Sequence, residues 1–411
     1  MTQIDNSTDT ATPITLPRKQ LFDLPEGIIY LDGNSLGPLV KGVDARVRAV
    51  ILDDWREQLI RAWNTAGWME QSVKVGNLIA PIIGAASGSV VMGDTLSIKL
   101  FQALCAGLTM RPERKVILSD SGNFPSDLYI AQGLVNLKNA GYVLRIVAAE
   151  EVADCLRRQS DEIAVVMLTE VDYRSGRLHD MQEITALAHA GGAVTIWDLA
   201  HSAGALPISL AAAGAEFAVG CTYKYLNGGP GAPAFIYVRP DLTETVEPAL
   251  SGWLGHAEPF AFETTYRPAR SIERMRVGTP AVIQMTALEE ALKVWDGVDL
   301  AEIRRASIAL STLFIAEVAR RCPQLVLASP ADPAHRGSQV SFAFEQGYAF
   351  MQALIDHRVI GDFRAPNLMR FGITPLYLDR HDILQAVETI ETIWANKLWQ
   401  QQRYQTAQKV T

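Results

Sequence analysis

Cysteine is scarce in this chain: four residues in 411, at 105, 155, 221 and 322, with no Cys-x-x-Cys pair and none grouped with histidine. That excludes a disulfide scaffold and a structural zinc site, and it fits a reducing compartment. A basic excess is also missing, since 37 Lys plus Arg stand against 45 Asp plus Glu, a formal net charge of -8. Binding to a nucleic-acid backbone rests on a basic surface, so no nucleic-acid partner is expected. The first 20 residues are polar and Thr-rich, with Arg18 and Lys19 as their only basic residues. They do not have the charged start and apolar stretch of a signal peptide, and read as a disordered arm. The one long uncharged run, residues 76–93, is broken by Pro81 and by glycines at 76, 84, 88 and 93. It predicts a buried turn followed by a strand rather than a membrane span, and a cytoplasmic protein without membrane contact. Nor is there an internal repeat.

What is present is an ordinary globular composition, 48% hydrophobic and 20% charged, long enough for two or three domains. Val- and Ile-rich runs at 115–118, 143–147, 163–169, 193–197, 216–220 and 234–238 mostly do not alternate with polar residues, as in strands covered on both faces. A helical pattern such as 181–190 lies between several of them, which predicts an α/β fold with a mainly parallel sheet. The last two runs are joined by a Gly- and Pro-rich segment, 227–233, so one antiparallel neighbour is expected. Beyond about residue 270 the texture changes. Apolar residues recur at helical spacing through Leu300–Leu313 and again through Ile383–Trp394, with 338–344 and 369–373 as strands of a smaller domain.

Two strand ends carry chemistry. Residues 193–197 run into Asp198 and His201, and ligands of open α/β sheets bind beyond such carboxyl ends. Alone, such an Asp is more often a helix cap or a loop acid. Lys224 follows the next strand and precedes the glycine-rich turn. A lysine held partly out of water there is suited to attack a carbonyl, although an isolated one is more often a solvated loop residue. An Asp ending one strand and a Lys following the next resemble the pyridoxal-phosphate (PLP) enzymes of the aspartate-aminotransferase fold, fold type I. There the acid keeps the pyridine nitrogen protonated and the lysine forms the Schiff base. A helix expected to start near Thr95 offers Thr95, Leu96 and Ser97 to a phosphate, as any capped helix would.

Six motifs in register go further. Asp32-Gly-Asn-Ser-Leu-Gly-Pro38, Asn123-Phe-Pro-Ser-Asp127, Trp197-Asp-Leu-Ala-His-Ser202, Tyr223-Lys-Tyr-Leu-Asn227, Gly252-Trp-Leu-Gly-His256 and Arg276-Val-Gly-Thr-Pro280 resemble the kynureninases, from about residue 27 to 375. The resemblance implies a PLP-dependent hydrolase of tryptophan catabolism that cleaves L-kynurenine, or its 3-hydroxy form, to the anthranilate and L-alanine. It implies Lys224 as the Schiff-base lysine and Asp198 as the pyridine partner. Phe124 would stack on the cofactor, with Pro125, Ser126 and Asp127 forming its turn. Leu96, Ser97, Thr169, His201 and Tyr223 would be further cofactor contacts. Trp253 and Thr279 would reach the site of the other subunit of a homodimer, and Arg370 would bind the substrate carboxylate. Tyr223 would also shuttle the proton of the water that adds to the ketone. Trp63 and Trp68 are aryl-pocket candidates, although aromatics spaced this way more often serve a core or an interface. The remaining histidines show no metal spacing. A cysteine desulfurase is the nearest rival, but Tyr stands before the lysine and Cys221 sits on a strand. The implied organisation is an arm over 1–20, an N-terminal segment 21–60 packing with the small domain, a large PLP-binding domain 61–270 and a small domain 271–411.

Overall fold

The computed structural model describes residues 16–159 and 161–406. Its strands in chain order are β1 (Ile29–Tyr30), β2 (Val90–Met92), β3 (Val116–Asp120), β4 (Val143–Val147), β5 (Ile163–Thr169), β6 (Val194–Asp198), β7 (Phe217–Gly220), β8 (Phe235–Val238), β9 (Val326–Leu327), β10 (Gln339–Ala343), β11 (Val359–Ile360), β12 (Asp362–Arg364) and β13 (Leu368–Gly372). Seven of them form one sheet in the order β2-β8-β7-β6-β5-β3-β4. The pairs from β7 through β4 are parallel, and β8 runs antiparallel to both β7 and β2. Every residue of β5, β6 and β7 is buried, as the unbroken apolar runs required, whereas edge strand β4 leaves Val143 and Ile146 exposed.

The chain lays β4 on one side of β3 and then returns to place β5 on the other. That reversal opens a crevice at the strand ends, where α/β folds hold ligands. Thr169 and Asp198 are the last residues of β5 and β6, paired in register, and Lys224 lies four residues beyond β7. Helix Met181–Ala190 matches the expected 181–190, and helix Leu96–Thr109 begins directly after Thr95. Residues 76–93 differ from expectation at their start: helix Gln71–Ile79 runs into a 3-10 turn, Ala80–Ile83, before Gly84 reverses the chain toward β2. Among the described residues no helix is long and apolar enough to cross a membrane.

A second sheet, β12-β13-β10-β9, is antiparallel and is covered by helices Leu300–Arg321, Gly347–Asp356 and Arg380–Ala395. The N-terminal segment packs beside it: β1 and β11 form a separate two-stranded parallel sheet, and Gly372 N donates to Leu31 O at 2.7 Å. Of the expected arm, residues 1–15 lie outside the described residues. Its end is tied down: Lys19 pairs with Asp382 at 2.7 Å and the Arg18 guanidinium donates to Asp296 O at 2.6 Å. The N-terminal segment also touches the lysine loop. Gly37 N donates to Tyr223 O at 2.7 Å, so close that a Cβ at residue 37 would lie 2.4 Å from Lys224 O. Only glycine fits that approach.

Candidate active site

The loops after β3, β5, β6 and β7 and the start of helix Leu96–Thr109 enclose a cavity of about 320 Å³. Leu96, Ser97, Phe124, Ser126, Asp127, Thr169, Asp198, His201, Tyr223 and Lys224 all line it. Two helices of 14 residues aim their N-termini at it, and their hydroxyls meet, Ser97 Oγ lying 3.0 Å from Ser126 Oγ. The second begins at Pro125, whose fixed φ suits the first helical position while Phe124 remains extended as the cap. Pro125 itself stays out of the lining. Free N–H groups at such ends favour an anion such as a phosphate.

At the strand ends the cavity is acidic and starved of partners. Asp198 accepts from Ala200 N at 2.8 Å and from Thr169 Oγ1 at 3.4 Å, and Thr169 also donates to Asn123 Oδ1. Asp127 is buried beside Asp198, to which its carboxyl hydrogen-bonds, and it has no other hydrogen-bond partner. Burial first, then the charge of Asp198, holds Asp127 well above the usual carboxylate range, and burial raises Asp198 against the pull of Lys224. Lys224 Nζ is 2.8 Å from His201 Nε2, while His201 Nδ1 is buried without a partner. Burial and the neighbouring ammonium keep that imidazole neutral. The Cys221 sulfur beside it, then burial, push the Tyr223 phenol up, so it stays an O–H donor at neutral pH. Such orphaned polar atoms call for a ligand. A protonated ring nitrogen suits the two acids, a phosphate the helix ends, and an aldehyde the amine between them.

Three expected residues lie elsewhere. Trp253 and Thr279 line a separate cavity of about 340 Å³ with Ile60 and Trp63. Trp63 meets Trp68 edge-on at 5.5 Å, and Trp68 is buried in that small cluster. Arg370 is buried in β13, donating through Nε to Asp362 Oδ1 at 2.6 Å, through Nη2 to Asp362 Oδ2 and to Ser35 Oγ at 3.0 Å, and through Nη1 to Tyr173 O. It stands one residue from the cavity, because the Tyr173 ring packs edge-on against Phe124 at 5.1 Å.

Several lining residues went unread in the sequence. Asp94 holds a positive φ of 56° and pairs with buried Lys99 at 3.5 Å, and Ala200, Ala232 and Ala234 leave room by being small. The Gly-Asp-Thr run before the helix was the available signal for Asp94; nothing in the sequence marked Asp362 as the partner of Arg370. Cys221 also lines the cavity, buried and with its thiol pushed up by that burial, so it is held away from the thiolate form.

Known proteins resemble the chain throughout. The family model for the kynureninase C-terminal domain matches residues 303–390. A kynureninase of Pseudomonas fluorescens is 49% identical over 402 residues, 96% of each chain. Among solved structures, the apo cysteine desulfurase of Thermococcus onnurineus NA1 superposes with a TM-score of 0.76 at 18% identity, covering 92% of this chain and 97% of its own. A variant of C-DES with glycine covalently linked to its PLP cofactor gives 0.79 at 17%, covering 92% and 99%. These two show the fold, PLP fold type I.

Proposed function

The chain belongs to the kynureninase family, and on that premise we propose that it hydrolyses L-kynurenine to anthranilate and L-alanine with PLP as cofactor. The observation that carries the reading is the cavity that gathers Lys224, the Asp127–Asp198 acid pair and two helix N-termini, with polar atoms left open for a ligand. When bound, PLP supplies an aldehyde for the lysine and a protonated ring that draws electrons from the substrate Cα. Asp198, with Asp127 beside it, would hold the ring N–H, and Phe124 would cover the ring face. Leu96, Ser97 and Ser126 would hold the phosphate, with Thr169 and His201 flanking the ring. Pro125 sets the helix start that aims Ser126.

Chemistry then falls to the side chains. Lys224 Nζ, once free, takes the proton from Cα of the substrate and returns it to the product. Tyr223 Oη exchanges the proton of the water that adds to the side-chain ketone, so the Cβ–Cγ bond breaks with a carboxylic acid leaving. Arg370 orients the substrate α-carboxylate through a guanidinium already fixed by Asp362. Trp253 and Thr279 serve the site of the other subunit in a cytoplasmic homodimer, with Trp63 at the aryl end.

Purified protein loaded with PLP should convert L-kynurenine to anthranilate, followed by fluorescence, and to alanine, with 3-hydroxy-L-kynurenine assayed in parallel. Lys224→Ala should lose both the visible absorbance of the attached cofactor and turnover. Bound cofactor with neither product formed would overturn the reading.

A further inference from the structure

Lys99, on helix Leu96–Thr109, is fully buried and has no part in the chemistry assigned to the site. Its ammonium donates to Met275 O at 2.8 Å and to Gln102 Oε1 at 3.1 Å, and it pairs with Asp94 Oδ2 at 3.5 Å. Taking a cation out of water is costly unless its partners compensate. The carbonyl does not require it, since Gln102 Nε2 also donates to Met275 O, at 3.2 Å. What the ammonium alone does is neutralise Asp94, which makes no other ion pair among the described residues.

Asp94 is an awkward neighbour for a phosphate. It lines the cavity directly before Thr95, Leu96 and Ser97, where the helix start offers N–H groups to an anion. Its positive φ of 56° turns the chain into that helix, and its carbonyl accepts from Ala234 N at 3.0 Å, so the backbone fixes the acid at this spot. Left uncompensated there, a carboxylate would repel a phosphate dianion.

We propose that Lys99 is a positioning residue for the cofactor phosphate: its buried ammonium holds the Asp94 carboxylate and cancels its charge, leaving the helix start free to take a dianion. The inference rests on the reading of the strand-end cavity as a PLP site. Burial lowers Lys99 to about 8, with Asp94 pulling it back up and Arg276 pushing it further down. Arg276, the other charged group that faces it, is itself paired with Glu273 at 2.9 Å. The neutralisation is therefore in force at pH 7 and is lost as pH rises past 8.

The test titrates the apoenzyme with pyridoxamine 5′-phosphate by calorimetry. This form of the cofactor has no aldehyde, so Lys224 cannot capture it, and its phosphate is largely a dianion at pH 7 and above. The net charge of the Asp94 and Lys99 pair sets the expected order. At pH 7, Lys99→Met should bind roughly tenfold more weakly than wild type, the scale of one uncancelled charge at a partly wet site. Asp94→Asn should bind at least as tightly as wild type, and the double variant should return to the wild-type value, which a merely structural lysine would not allow. Well above pH 8 the wild type should weaken toward Lys99→Met. Equal affinities of wild type and Lys99→Met at pH 7, a double variant as weak as Lys99→Met, or weaker binding by Asp94→Asn would overturn the proposal and leave the cofactor site standing. A wild type that does not bind at all would overturn both.

Discussion

Lys224 Nζ lies 2.8 Å from Nε2 of His201, a histidine that burial keeps neutral and that therefore accepts from the lysine ammonium. The contact holds the amine inside the cavity before any cofactor enters. His201→Phe removes the acceptor, and capture of PLP by the apo enzyme should slow by roughly tenfold, the worth of one hydrogen bond to a charged group. Borohydride trapping with mass spectrometry reads the rate, and an unchanged rate would show that the contact does not position the amine.

Tyr223 sits beside Lys224 with its phenol protonated at neutral pH. Tyr223→Phe keeps the ring and removes the proton carrier, so PLP should still attach while kcat falls by about 10²–10⁴. Visible absorbance and steady-state rates together separate the two effects, and wild-type turnover would take Tyr223 out of the mechanism.

Asp362 grips the Arg370 guanidinium inside the protein. Asp362→Ala should lower stability by about 3–5 kcal/mol, because it strands a buried charge. Arg370→Lys should instead act on substrate, raising KM for L-kynurenine more than it lowers kcat, since an ammonium cannot form the planar fork. Urea denaturation and initial-rate kinetics check the pair.

Asp32, close to Asp362, is raised to about 7, by burial first and by that neighbour second. Its unfolded value is about 3.9. The folded state therefore binds the proton more tightly, and the stability linked to it is complete below pH 4 and lost as pH rises to 7. The melting temperature of Asp32→Asn relative to wild type should climb over that window and then level off. A flat difference would mean that Asp32 titrates normally.

If Trp253 and Thr279 serve a neighbouring subunit, two inactive variants can rescue each other. Mixing Lys224→Ala with Trp253→Ala should restore about a quarter of wild-type activity, since half the dimers are hybrids and each hybrid carries one intact site. No recovery in proven hybrids would confine both residues to their own chain.

Much of this was legible because strand ends announce themselves. The apolar run into Asp198 and the strand before Lys224 place both residues at one sheet edge, and Met181–Ala190 follows from helical spacing. Partnerships across the chain were not legible. The Arg370 and Asp362 pair spans an antiparallel turn whose register no periodicity reveals, and the helix Gln71–Ile79 was hidden by glycines and a proline that normally end helices.

The pairing of β1 with β11 imposes a timetable on synthesis. Residues 29 and 30 leave the ribosome about 330 residues before their partners at 359 and 360, roughly 15–65 s at ordinary elongation rates. The seven-stranded sheet, complete by residue 238, is finished well before then. By then the N-terminal segment can meet the lysine loop through Gly37, but Leu31 O waits for Gly372 N, and Ser35 meets Arg370 only when translation is nearly over.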